Sequence, residues 1–182
     1  SSYFHMKYII HKTKINKYEP LPDILIDNCL PDLSKSKITH FLVDILLPIS
    51  FLPIILSKRY DLFIFLYKII SIVFFLRAIT KVSTIIPSQG NGCKNDVNNL
   101  MCYITGYCND KIFSGHTSIM ILVTLTIINE KLINPSYNHL LIIVCLIYSG
   151  LILSSRNHYT VDVILAYIIS ISVYYNLKNS IM

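Results

Sequence analysis

The chain has 182 residues, of which 53% are hydrophobic and 14% charged, and its formal net charge is +6. A soluble domain of this size carries about 25% charged residues to coat its surface. The composition therefore excludes a disordered chain, a disulfide-dense mini-protein and a collagen-like fibre, and it argues against a soluble enzyme. What remains is an all-α polytopic transmembrane helix bundle of one domain. The cations are scattered through short connectors, with no basic face interleaved with aromatics, so they suit anionic lipid headgroups and not nucleic acid.

Residues 1–37 are polar, Lys-rich and punctuated by Pro20, Pro22 and Pro31. They read as a lead-in without a core of its own, and a start at Ser1 reads as that of a fragment or a processed product. A transmembrane catalytic domain over 38–177 follows, with a short tail at 178–182. Within it lie five apolar stretches, 38–57, 61–80, 117–133, 139–155 and 160–177. Pro48 and Pro53 interrupt the first, as proline is tolerated where neighbouring helices satisfy the freed backbone groups. Only the first two reach the ~20 residues a span requires; the other three need their polar ends. A polar loop at 87–113 holds three of the five glycines and three of the five cysteines.

If every stretch crosses, parity puts residues 20–23, the 87–113 loop, His116 and His158 at one membrane face. Lysine counts favour a cytosolic motif face. Cys29, Cys93, Cys102 and Cys108, all on that face, favour an oxidising lumen.

Two clusters carry chemistry: Ser114-Gly115-His116-Thr117, at a helix start, and His158-Tyr159-Thr160-Val161-Asp162. In the second, if the helix begins near Tyr159, His and Asp four apart share a face about one turn apart. A carboxylate accepting the imidazole Nδ1–H fixes the tautomer and makes Nε2 a competent nucleophile. In the first, the amides and dipole of a helix N-terminus form an anion site. His116 stands there, placed to give or take a proton. Ionisable groups at a membrane boundary are costly, which favours function over chance.

Four blocks in order, Glu19-Pro-Leu-Pro-Asp23, RAITKVSTIIPSQG from Arg77 to Gly90, CNDKIFSGHT at 108–117 and HYTVDVILAY at 158–167, resemble the sphingomyelin synthase family, within the phosphatidic-acid phosphatase type 2 superfamily. The resemblance implies a transferase moving phosphocholine from phosphatidylcholine to ceramide, giving sphingomyelin and diacylglycerol. His158 would attack phosphorus, Asp162 would orient it, and His116 would serve as acid and then base. Candidate substrate contacts are Arg77, Asp110, Ser114, Gly115 and Tyr159.

Asp110 accompanies choline headgroups in the family, whereas Glu accompanies ethanolamine. The chain departs from the family at Asn109, where a glycine is usual. It also has Ile152 where the superfamily's phosphatases carry an arginine; Arg156 lies nearer and is a possible substitute. The resemblance further implies no metal or cofactor, membrane lipids as partners and six spans in the full protein. It places the site in Golgi or plasma membrane, facing lumen or exterior, and leaves a homo-oligomer open. A ceramide phosphoethanolamine or phosphoinositol transferase, or a lipid phosphate phosphatase on the same histidines, are the alternatives.

Overall fold

The computed structural model describes residues 21–83, 86 and 112–181, and every regular element among them is helical. The helices are α1 (Ile24–Asn28), α2 (Lys37–Ser50), α3 (Leu52–Leu56), α4 (Tyr60–Ser83), α5 (Gly115–Asn129), α6 (Asn138–Ser154) and α7 (Thr160–Ile181), with a 3₁₀ turn at Pro135–Tyr137. Four segments are long and apolar enough to cross a membrane: Lys37–Leu56, Tyr60–Thr80, Pro135–Ser154 and Thr160–Asn179. The protein is a polytopic helical membrane bundle.

Local chemistry explains the breaks. α2 begins where Ser36 accepts a hydrogen bond from Thr39 N at 3.3 Å. It ends at Ser50 because Pro53 has no N–H to give the carbonyl four residues back, so the chain turns at Phe51 and restarts as α3 with Pro53 in its first turn. Three other helix ends turn through left-handed residues that are basic: Lys58 (φ 53°), Lys131 (φ 52°) and Arg156 (φ 56°). After α5, Leu132 N reaches Ile127 O at 3.0 Å and Lys131 N reaches Ile128 O at 3.2 Å, the paired bonds of a Schellman cap. A cation in place of glycine accepts roughly 1–2 kcal/mol of backbone strain, offset in part by its charge at the negative end of the helix.

The third apolar stretch differs from the sequence expectation. α5 has 15 residues, about 22 Å of rise, short of the ~30 Å hydrocarbon layer. It can be short because it is the inner helix. It packs against α2, α4, α6 and α7, and ten of its residues, from Gly115 to Ile127, are buried. Around it, Phe41, Ile64, Leu146 and Ile168 are each more than half exposed, an outer surface suited to lipid and not to water.

Tyrosine hydroxyls fasten the bundle at depth: Tyr148 donates to Val43 O at 3.1 Å and Tyr174 to Leu125 O at 3.4 Å. At the end remote from His158, Glu130 receives Arg59 at 3.1 Å and Lys178 at 3.2 Å, joining two connections and the last turn of α7. A largely apolar groove of about 320 Å³ runs between α5, α6 and α7, lined by Ile121, Leu125, Cys145, Leu146, Tyr167 and Ile171 among others.

The last part of the lead-in is built into this bundle. Ile26 of α1 is fully buried in a cluster with Val43, Tyr148, Ile152 and Val163, and Leu33 N donates to Ser154 O at 2.8 Å. Cys29 is exposed and has no disulfide partner among the described residues, and Cys93, Cys102 and Cys108 lie outside them.

Candidate functional site

The two motif clusters start adjacent helices, and a backbone bond joins them: Ser114 N donates to Asp162 O at 3.3 Å. Parity had placed these segments at one face, and the bond makes that a direct contact.

His158 lies two residues before α7, nearly buried, with its Nδ1 3.7 Å from Asp162 Oδ2. That is ion-pair distance, longer than a hydrogen bond. Asp162 is fully buried. Its Oδ2 accepts from Tyr159 N at 2.9 Å, the return half of a capping box. Its Oδ1 has no hydrogen-bond partner among the described residues. A buried carboxylate with an unused acceptor beside an imidazole is a strong attractor for that ring.

On α5, Ser114 is the N-cap. Its hydroxyl accepts from Thr117 N at 3.3 Å and Thr117 Oγ1 at 2.9 Å, and its carbonyl accepts from Ser118 Oγ at 2.7 Å. Ser114 is fully buried, so its polar atoms are engaged in holding the helix start. His116 follows in the first turn and is partly exposed.

Arg77, near the end of α4, reaches this corner. Its Nε donates to Phe113 O at 2.7 Å. A Cβ added to Gly115 would lie 3.5 Å from the Arg77 guanidinium carbon, so arginine and helix start are in close contact. Phe113 is fully buried with φ 65°, an uncommon conformation for a bulky residue and one found where function holds backbone strain in place. Arg77 thus secures the strained turn that presents Ser114, Gly115 and His116. A guanidinium against the positive end of a helix is unfavourable alone and favourable around an anion.

Tyr159 is buried, and its hydroxyl accepts from Leu21 N at 3.0 Å. Asp110 lies outside the described residues. Arg156 sits in the loop before His158, 3.8 Å from Asp27 and 3.9 Å from Asp32. This ties that loop to the strand of chain around α1.

The residue that local reasoning passed over is Asp23. One of its oxygens accepts from Thr160 N and the other from Thr160 Oγ1, both at 2.7 Å, while Oδ1 also takes Ile26 N at 3.3 Å. Burial opposes its ionisation, but the bonds from Thr160 and Ile26 outweigh that and hold its carboxyl below the ordinary value of 3.8. A depressed carboxyl stabilises the fold above its unfolded value and loses that contribution as pH falls through the folded one, so this link weakens only below about pH 4. The signal was present: α7 begins after Tyr159, which has no side chain able to cap, so the cap had to come from elsewhere.

Residues 107–180, which include both histidines and Asp162, match the PAP2 superfamily C-terminal family. The chain is 29% identical over 122 residues to a phosphatidylinositol:ceramide inositolphosphotransferase of Trypanosoma cruzi (strain CL Brener), covering 60% of this chain. It spans about a third of that protein, 36% of its length. The resemblance read from the SGHT and HYTVD blocks is in keeping with these two matches.

Proposed function

We propose that the protein is a lipid headgroup phosphotransferase, moving a phosphorylated headgroup from a glycerophospholipid to the primary hydroxyl of ceramide. The observation that carries this reading is the seam at which Ser114 N meets Asp162 O, with His158, Asp162 and the Arg77-backed start of α5 along it.

In the proposed reaction His158, with Nδ1–H turned to Asp162, attacks phosphorus through Nε2. The bond from phosphorus to the diacylglycerol oxygen breaks, and His116 gives that oxygen its proton. His116 then takes the proton of the ceramide hydroxyl, whose oxygen attacks phosphorus and frees His158. Each displacement is in line, and the intermediate is a headgroup-phosphohistidine. The negative charge that develops on the phosphoryl oxygens faces Arg77 and the α5 amides. Diacylglycerol and ceramide bring long hydrocarbon chains, for which the lipid-facing helices provide the medium.

Two headgroups have support. Phosphocholine follows from Asp110 by the family resemblance; phosphoinositol follows from the substrate in the name of the trypanosomal relative. The deciding experiment offers membranes of the full-length protein a fluorescent ceramide together with phosphatidylcholine, phosphatidylethanolamine or phosphatidylinositol. Products are then resolved by headgroup. A ceramide phosphodiester with one of these headgroups supports the reading and identifies the donor. Release of water-soluble headgroup phosphate with no ceramide product overturns it in favour of a hydrolase.

Arg77→Lys keeps a charge but loses the fork that holds Phe113 O while facing the anion. The expected result is a fall in the transfer rate of about 10- to 100-fold, with Arg77→Ala at least as low. A normal initial rate for Arg77→Lys in vesicles would show that a point charge is enough and that the bond to Phe113 is dispensable.

A further inference from the structure

We propose that Asp23 is a positioning residue for His158, supplying across the fold the cap that α7 lacks. The inference rests on the reading of His158 as the nucleophile.

A helix start leaves its first amides without internal partners. In α7, Asp162 reaches back to Tyr159 N, and the side chain of Tyr159 has no acceptor placed to cap the helix. The Thr160 amide, first of the helix, is taken by Asp23, a residue 137 positions away. The same carboxylate takes the Thr160 hydroxyl and caps its own helix α1 through Ile26 N, so a single side chain ends two helices. Asp23 N in turn donates to Asp27 Oδ2 at 2.9 Å, and Leu21 N to the Tyr159 hydroxyl at 3.0 Å. Ile26, fully buried, anchors the segment in the core.

The strap from Leu21 to Asp27 therefore grips the two residues that follow His158. His158 sits in a loop, and its 3.7 Å relation to Asp162 exists only while the first turn of α7 is wound. Without Asp23 that turn frays, and the imidazole loses its register against the carboxylate. A misplacement of about 1 Å at a reacting group costs up to about 100-fold in rate.

The test uses the full-length protein in vesicles with fluorescent ceramide and the donor phospholipid it accepts. It compares wild type with Asp23→Ala, Asp23→Asn, Thr160→Val and Thr160→Ser. Asp23→Ala is expected to lower kcat about tenfold or more while KM for the donor stays within about twofold. Thr160→Val should follow it part of the way. Asp23→Asn, which keeps an acceptor for the Thr160 amide, and Thr160→Ser, which keeps the hydroxyl, should recover most of the loss. Because the two residues act through one link, the Asp23→Ala/Thr160→Val pair should lose less than the product of the single effects. Amide exchange should accelerate at residues 160–163 and stay unchanged along 117–127.

A normal kcat in Asp23→Ala, a change in KM alone, or unaltered exchange at 160–163 would overturn the proposal while leaving the function standing. Should Asp23→Ala fail to fold, a normal kcat in Thr160→Val would do the same. A wild-type protein that transfers no headgroup would overturn the functional reading, and with it the catalytic part of the inference; the exchange data then judge the cap by itself.

Discussion

His158→Ala is expected to abolish headgroup transfer, lowering the rate by roughly four orders of magnitude or to the assay background. The reason is that a ping-pong route has no slow alternative built into it. With the nucleophile gone, ceramide would have to attack the donor lipid directly, and the in-line position is then unsupported. His158 is 8% exposed and lies outside the helix, so its removal leaves the packing of α5 against α7 intact. The check is the initial rate in reconstituted vesicles, together with thermal unfolding in detergent. A folded variant with measurable wild-type-like turnover would end the mechanism.

Asp162→Asn is expected to cost about 100-fold or more in kcat, with the fold retained. The local geometry sets the form of this prediction. Tyr159 N donates to Oδ2, so the amide of an Asn residue should turn its oxygen to that same position. The imidazole Nδ1–H would then still find an acceptor, and its tautomer would be kept. What disappears is the charge, which supports the cationic imidazole during both displacements. The new NH₂ would occupy the place of Oδ1, buried and without a partner. Asp162→Ala should be worse in both respects, since it leaves Tyr159 N without its acceptor and loosens the start of α7. Rates and unfolding temperatures of the pair check this. If Asn and Ala were equally active, or Asn equalled wild type, Asp162 would be structural only.

Much of the fold was legible because a membrane imposes a coarse code. Runs of about 20 apolar residues marked the spans, and the observed segments Tyr60–Thr80 and Thr160–Asn179 start where the runs at 61 and 160 do. The HxxxD spacing brought His158 and Asp162 to 3.7 Å, although His158 lies in the loop before α7 and only Asp162 is helical, so the two do not share a helical face.

What the local pattern did not carry was the interior position of α5. Its clues were Thr117, Ser118, Thr124 and Thr126, distributed around an apolar helix, all buried in the fold and unsuited to lipid. Nor could spacing reveal the work of Ser114, Arg77 and Asp23. Ser114 was read as a substrate contact, yet a helix cap and an anion site use the same residue type at the same place, and burial separates them. Arg77 binds a backbone carbonyl 36 positions away, and a carbonyl has no sequence signature. Asp23 completes a helix that begins 137 residues later. Long-range polar contacts between chain segments are a property of the assembled bundle.

The most direct test of the account is to look for the covalent intermediate. The full-length protein in vesicles is given a donor phospholipid labelled at its headgroup phosphate, without acceptor, and is then quenched and digested. The account predicts one label, on His158, labile in acid and stable in alkali as a phosphoramidate is. The label should be absent from His158→Ala and discharged when ceramide is added. Transfer by a wild-type protein that carries no label, or carries it on a residue other than His158, would contradict it.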